Sequence, residues 1–173
     1  MSASFASSTH LIVDNKARLI TDVDGSVLAR VTRWWSEAEL PKYVSHRAYD
    51  AEDGTRMFAE LSRSSLSGDE TTVIDAEGQQ VGLVDKGVVI VRGERVGSIA
   101  QERKLTYRNR WHLFDTGGVQ LVHITPQRVG VEGKWMRRKY LWHLEFVGEV
   151  PLALRMLVVS RLPHMEFALT TGD

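Results

Sequence analysis

The chain contains no cysteine among its 173 residues. That single absence excludes disulfides, thiolate metal sites, cysteine nucleophiles and S-acylation. It fits a reducing compartment. Long apolar runs are also missing. The richest, Val150–Leu162, is thirteen residues long and interrupted by Arg155, Ser160 and Arg161. A bilayer needs about 20 apolar residues, so no membrane-spanning segment is expected. The N-terminal MSASFASSTHLIV has neither a basic region nor a sustained apolar stretch and does not read as a signal peptide. A cytoplasmic protein, with room for peripheral membrane association, is the expectation. No Gly-x-Ser-x-Gly, His-Glu-x-x-His or phosphate-loop pattern occurs, so no catalytic residue, metal or cofactor is assigned.

Net charge is zero, but its two signs are unevenly placed. Residues 1–86 hold 9 Lys/Arg against 14 Asp/Glu, and the stretch 103–139 holds 9 against 2, a local charge of +7. Such asymmetry either marks a surface for anions or reflects two charge-complementary halves of one fold. Apolar residues make up 43%, enough for a core in a single domain of this length. One domain over 1–173 is expected, with residues 1–10 flexible.

Five turn signals of one kind punctuate the chain: Asp22–Gly25, Asp50–Gly54, Asp75–Gly78, Arg92–Glu94 and Asp115–Gly118. Asp accepts from backbone amides just ahead of it, and Gly supplies the positive φ that tight hairpins need. Runs rich in β-branched residues separate them, among them Val27–Val31, Thr71–Ile74, Val88–Val91 and Val119–Ile124. That is a series of hairpins, one turn every roughly 20–28 residues. A sixth hairpin is expected between 129–132 and 140–146, turning across Lys134–Lys139. Six hairpins make about twelve strands over 16–146. Closure into an antiparallel barrel removes the exposed edges.

Two segments depart from the alternation. Ser36-x-x-Glu39 before Pro41 reads as a capping box and predicts one helical turn. Val150–Leu162 is apolar in almost every helical direction, the mark of a buried helix. Pro151 suits its first turn, and Pro163 is expected to end it. A β-strand is the alternative reading of this short run. A buried Arg155 would require a partner or a path to solvent.

The runs Tyr49–Gly54, Val73–Gly82, Arg92–Ser98 and Val131–Trp135 with Tyr140, followed by apolar Val150–Leu162, resemble the tubby C-terminal-like superfamily, and within it the LURP-one-related and scramblase-like group. The resemblance covers roughly residues 45–162. It implies a twelve-stranded barrel around a hydrophobic C-terminal helix. It also implies phospholipid association, including phosphoinositide binding in the tubby branch.

The strongest candidate site is the basic turn Lys134, Arg137, Arg138 and Lys139, extended by Arg103, Lys104, Arg108 and Arg110. Guanidinium and ammonium groups at a hairpin end suit phosphate oxygens. Trp135 suits an interface, as does the Trp34–Trp35 pair. Pairing Phe114 with Val119 would place His112 opposite Leu121 and Arg110 opposite His123, a polar cluster on one sheet face. His143 and Glu145, two apart, also share a face. Three readings follow. The first is a non-enzymatic module for anionic lipid headgroups or a protein partner. The second is a lipocalin-like small-ligand barrel, or an enzyme built in one. The third is a scaffold or assembly subunit. Nucleic acid is not an expected partner, and the oligomeric state is left open.

Overall fold

Twelve antiparallel strands close on themselves around one helix in the computed structural model, which describes residues 4–34, 44–65, 68–102, 110–132 and 137–171. The strands are β1 (His10–Asp14), β2 (Leu19–Thr21), β3 (Val27–Trp34), β4 (Val44–Asp50), β5 (Arg56–Ser65) and β6 (Gly68–Asp75). They continue with β7 (Gln80–Asp85), β8 (Val88–Val91), β9 (Glu94–Glu102), β10 (Arg110–Asp115), β11 (Gln120–Glu132) and β12 (Arg137–Phe146), and α1 (Leu152–Thr171) follows. Each strand pairs with its neighbours in sequence, and β1 pairs with β12 to complete the barrel. The expected closed barrel of about twelve strands is the observed fold. The helical turn expected at Ser36–Pro41 lies outside the described residues.

Up-and-down connectivity sends successive links to opposite ends of the barrel. All five Asp/Gly turn signals fall at one end, beside the start of α1. Their glycines take the left-handed conformation, Gly118 at φ +80° among them. Asp75 and Asp115 accept from the turn amides ahead of them, as at Gly117 and Val119 from Asp115, both 2.8 Å. The links β9→β10 and β11→β12 leave from the other end.

The apolar segment is a helix at the barrel's centre. Leu157, Val158, Val159 and Ser160 are each essentially inaccessible. Four consecutive helical residues sweep the full circumference at about 100° each. Inward residues of the strands meet them, including Leu11, Ile20, Phe58, Val73, Val84, Leu113, Ile124 and Trp142. Gly82 shows how close the approach is: a Cβ there would stand 2.3 Å from the Ile90 carbonyl oxygen and 3.1 Å from Leu157 Cδ1.

Several boundaries differ from the sequence expectation. The barrel begins at His10, before residue 16, and the segment expected to be flexible buries Phe5 and Ser8. Pro163 does not end the helix, which continues to Thr171. Pro163 removes one amide donor, yet the following turn is anchored from outside. Glu166 accepts from Trp142 Nε1 (3.0 Å) and from Asn15 Nδ2 (2.5 Å), and Met165 is buried. At the other end Pro151 caps α1, its carbonyl accepting from Leu154 and Arg155. Arg137–Lys139, expected in a turn, lie in β12.

Candidate functional site

The basic end of the barrel follows from strand lengths. β11 and β12 pair in register from Val122–Phe146 to Glu132–Arg137. Their neighbours stop sooner: β10 begins at Arg110, one residue before the Trp111–Ile124 pair, and β1 last pairs at Val13–Trp142. Among the described residues, the segment 126–132 with 137–141 thus runs on as a two-stranded ribbon. At about 3.4 Å per residue it reaches roughly 20 Å. A bulge between Arg128 and Gly130 bends it, and Arg128 and Val129 are exposed there. Arg138 stands opposite Val131, and Arg137 opposite Glu132.

Arg103, Lys104, Arg108, Lys134, Trp35 and Trp135 lie outside the described residues. Glu102 and Arg110, which flank the first of these segments, face each other at the ends of β9 and β10. Because β10 pairs with β11, the two basic segments of sequence depart from adjacent hairpins at the same end. Lys139 is not a free cation: its Nζ lies 3.3 Å from Asp14 Oδ2. Trp34 is the last residue of β3.

The second constellation differs in register from expectation. A bulge between Leu113 and Phe114 pairs Phe114 with Gln120 and Leu113 with Val122, so His112 faces His123 instead of Leu121. The Asp115–Gly118 turn is closed by Asp115 N donating to the Val119 carbonyl, and the ladder beyond it absorbs one extra residue of β11. The shift is by two residues, so the side chains keep their expected face. That face is the outer one, with Trp111 and Leu113 turned inward.

On this outer face the two groups expected separately become one. Cross-strand pairs run His10–Glu145, Glu145–His123 and His123–His112 over β1, β12, β11 and β10. Four of the six histidines are therefore neighbours. His10 and His143 lie edge to face at 5.3 Å, as do His112 and His123. His10 Nε2 is 3.1 Å from His143 Nδ1, and His143 Nε2 is 2.7 Å from Gln127 Oε1. His112 Nε2 donates to Glu102 at 3.1 Å, while Gln120 contacts the His123 ring. Burial, with His10 beside it, lowers the His143 pKa below the usual imidazole range, against an opposing pull from Glu145. Among the described residues no three His, Asp or Glu side chains are already gathered as a metal site.

Inside the barrel, toward the end where α1 finishes, a polar network went unread. Glu60 is fully buried; it accepts from Tyr49 Oη at 2.9 Å and pairs with Arg47 at 3.4 Å. Burial, then Glu60, holds the Tyr49 pKa well above 10. Arg161 donates to the Asp69 carbonyl at 3.4 Å, and His164 Nδ1 lies 3.8 Å from the Asp69 carboxylate. The signal was present: Phe58, Glu60 and Ser62 alternate on one face of β5, so a charge stands in an apolar row.

A cavity of about 690 Å³ opens at the opposite end, lined by Phe5, Leu28, Met57, Leu152 and Met156, with Glu52 and Asp53 at its rim. Arg110, His112 and His123 do not line it. The barrel's axis is filled by α1.

A closed twelve-stranded antiparallel barrel threaded by its own C-terminal helix is the class these features define. A protein from Arabidopsis thaliana, known from its X-ray structure, has a similar fold: the TM-score is 0.56 at 14% identity, covering 90% of each chain. No family model matches the sequence, and no curated protein does. The helix described is not long and apolar enough to cross a membrane.

Proposed function

We propose that this chain is a single-domain, non-enzymatic binding module of the tubby-like, LURP-one-related kind, which docks on anionic lipid headgroups at the cytoplasmic face of a membrane. The supporting observation is that the described ends of β9 and β10 (Glu102 and Arg110) and of β11 and β12 (Glu132 and Arg137) lie at one end of the barrel, where the sequence is richest in Lys and Arg. The β11–β12 ribbon carries Arg128, Arg137 and Arg138 beyond the neighbouring strands, beside exposed Val129. Near an anionic surface each basic residue contributes about 1 kcal/mol, falling off within a Debye length of about 8 Å. A projecting ribbon brings several of them within that distance at once. The helix inside the barrel supports seeking the ligand on the outside.

Flotation with vesicles of neutral lipid, and of the same lipid with added phosphatidylserine or phosphoinositide, tests the reading. Binding to anionic vesicles only is expected, weakened by salt and by joint reversal of Arg128, Arg137 and Arg138 to Glu. Equal binding to both vesicle types, or no change on charge reversal, removes it.

A further inference from the structure

We infer that His10 and His143, with Glu145 beside them, form a binding site for a divalent transition-metal ion of the zinc or copper type on the outer face of the barrel.

The argument begins with a tautomer. Gln127 Oε1 accepts only, so the ring nitrogen facing it at 2.7 Å, His143 Nε2, carries the proton. A neutral imidazole holds one proton, which leaves His143 Nδ1 with a free lone pair. Metal-ligating histidines show this same arrangement, in which the distal N–H donates to a carbonyl and fixes the ring. That lone pair points toward His10 Nε2, 3.1 Å away. Two nitrogens bound to one tetrahedral ion at 2.0–2.1 Å stand about 3.3 Å apart. The pair is therefore spaced like two ligands of a single ion.

Without metal, His10 Nε2–H donates to His143 Nδ1. With metal, the His10 proton resides on Nδ1 by exchange through solvent, and both lone pairs turn to the ion. No net proton is released from two neutral rings. The remaining positions fall to water and a carboxylate. Glu145 is exposed, directly across from His10 and two residues from His143 on the same face. Directly opposed β-carbons are about 5 Å apart, within reach of a side-chain rotation. Imidazole nitrogen with one carboxylate suits Zn²⁺ and, more tightly, Cu²⁺. The His112–His123 pair lacks the arrangement, because His112 Nε2 is engaged by Glu102 and its Nδ1 is buried without a hydrogen bond.

Calorimetric titration of the full chain, free of any histidine tag, with Zn²⁺ alone tests the site. One saturable site is expected. His10→Gln and His143→Gln should each weaken it at least about 10-fold, and Gln127→Ala about 10-fold or more through loss of the orienting acceptor. His112→Gln should leave it unchanged. Far-UV circular dichroism checks that each variant is folded, and Co²⁺ absorption reads ligation directly in whichever histidine variant stays folded. Absence of saturable binding, equal affinity in His10→Gln, or an equal loss in His112→Gln overturns the site.

Discussion

The guanidinium of Arg155 lies 4.0 Å from the centre of the Phe146 ring. Among the described residues, no carboxylate is a hydrogen-bond partner of Arg155. Instead Nε donates to the Val150 carbonyl at 3.1 Å, and Nη1 donates to the carbonyls of Phe5 (3.3 Å) and Ser8 (2.5 Å). A charge in the first turns of the central helix thus ties down the N-terminal segment and the link from β12.

Replacing Arg155 with Met should keep the volume and remove the donors. Three carbonyls lose a partner, and an unsatisfied buried polar group costs about 1–3 kcal/mol. A loss of about 3 kcal/mol is expected, since the N-terminal segment can move to water. Urea unfolding measures it, and proteolysis near residues 4–9 should accelerate. An unchanged urea midpoint would show that the carbonyls find other donors.

Tyr49→Phe removes the hydroxyl that donates to Glu60 while keeping the ring stacked on Phe58, 4.2 Å between centroids. A hydrogen bond to a charged group contributes about 1.5–3 kcal/mol. Glu60→Ala should cost more, about 3–5 kcal/mol, because Arg47 loses its buried counter-charge. Thermal unfolding of both variants ranks them, and the reverse order would refute the assignment of Glu60 as the hub.

Gly82→Ala forces a Cβ against the Ile90 carbonyl, a backbone atom that cannot swing aside. Overpacking of this kind costs about 1–3 kcal/mol. Gly130→Ala is the control, because nothing lies within 4 Å of its Cβ position. Denaturant midpoints should fall for the first and stay near the parent for the second.

Stability should depend on mild acid through His164. Burial lowers its pKa from the ordinary 6.5 to about 4, with Arg161 adding to the effect and Asp69 opposing it. Between those values the unfolded chain binds more protons than the folded one, so stability falls as pH drops from 6.5 toward 4. The loss from this residue is at most about 3 kcal/mol. His46 and His143 are displaced in the same direction. Urea midpoints at several pH values should trace the fall, and His164→Asn should flatten it; a parallel curve in that variant would assign the effect elsewhere.

The barrel was legible because its turns announce themselves. Gly at all five turn signals and Asp at four of them, between β-branched runs, dictate hairpins through local backbone chemistry alone. Register was not so legible at His112, where the turn closes at Asp115–Val119 and the bulge beside it adds one more residue, together moving the pairing by two. Sequence shows turn residues but not how the ladder absorbs an extra one. Pro163 misled for a similar reason: a local helix breaker was overridden by tertiary anchors at Glu166 and Met165.

By itself, the sequence determined a barrel of about twelve strands, the hairpin order, an apolar closing segment and the two basic stretches, all of them consequences of local propensity and composition. Tertiary structure alone decided which distant residues meet. Closing β1 onto β12 brought His10 to His143, and inserting the helix brought Arg155 to Phe5 and Ser8. Such contacts depend on where a chain returns after more than a hundred residues, and no periodicity along the chain encodes that distance.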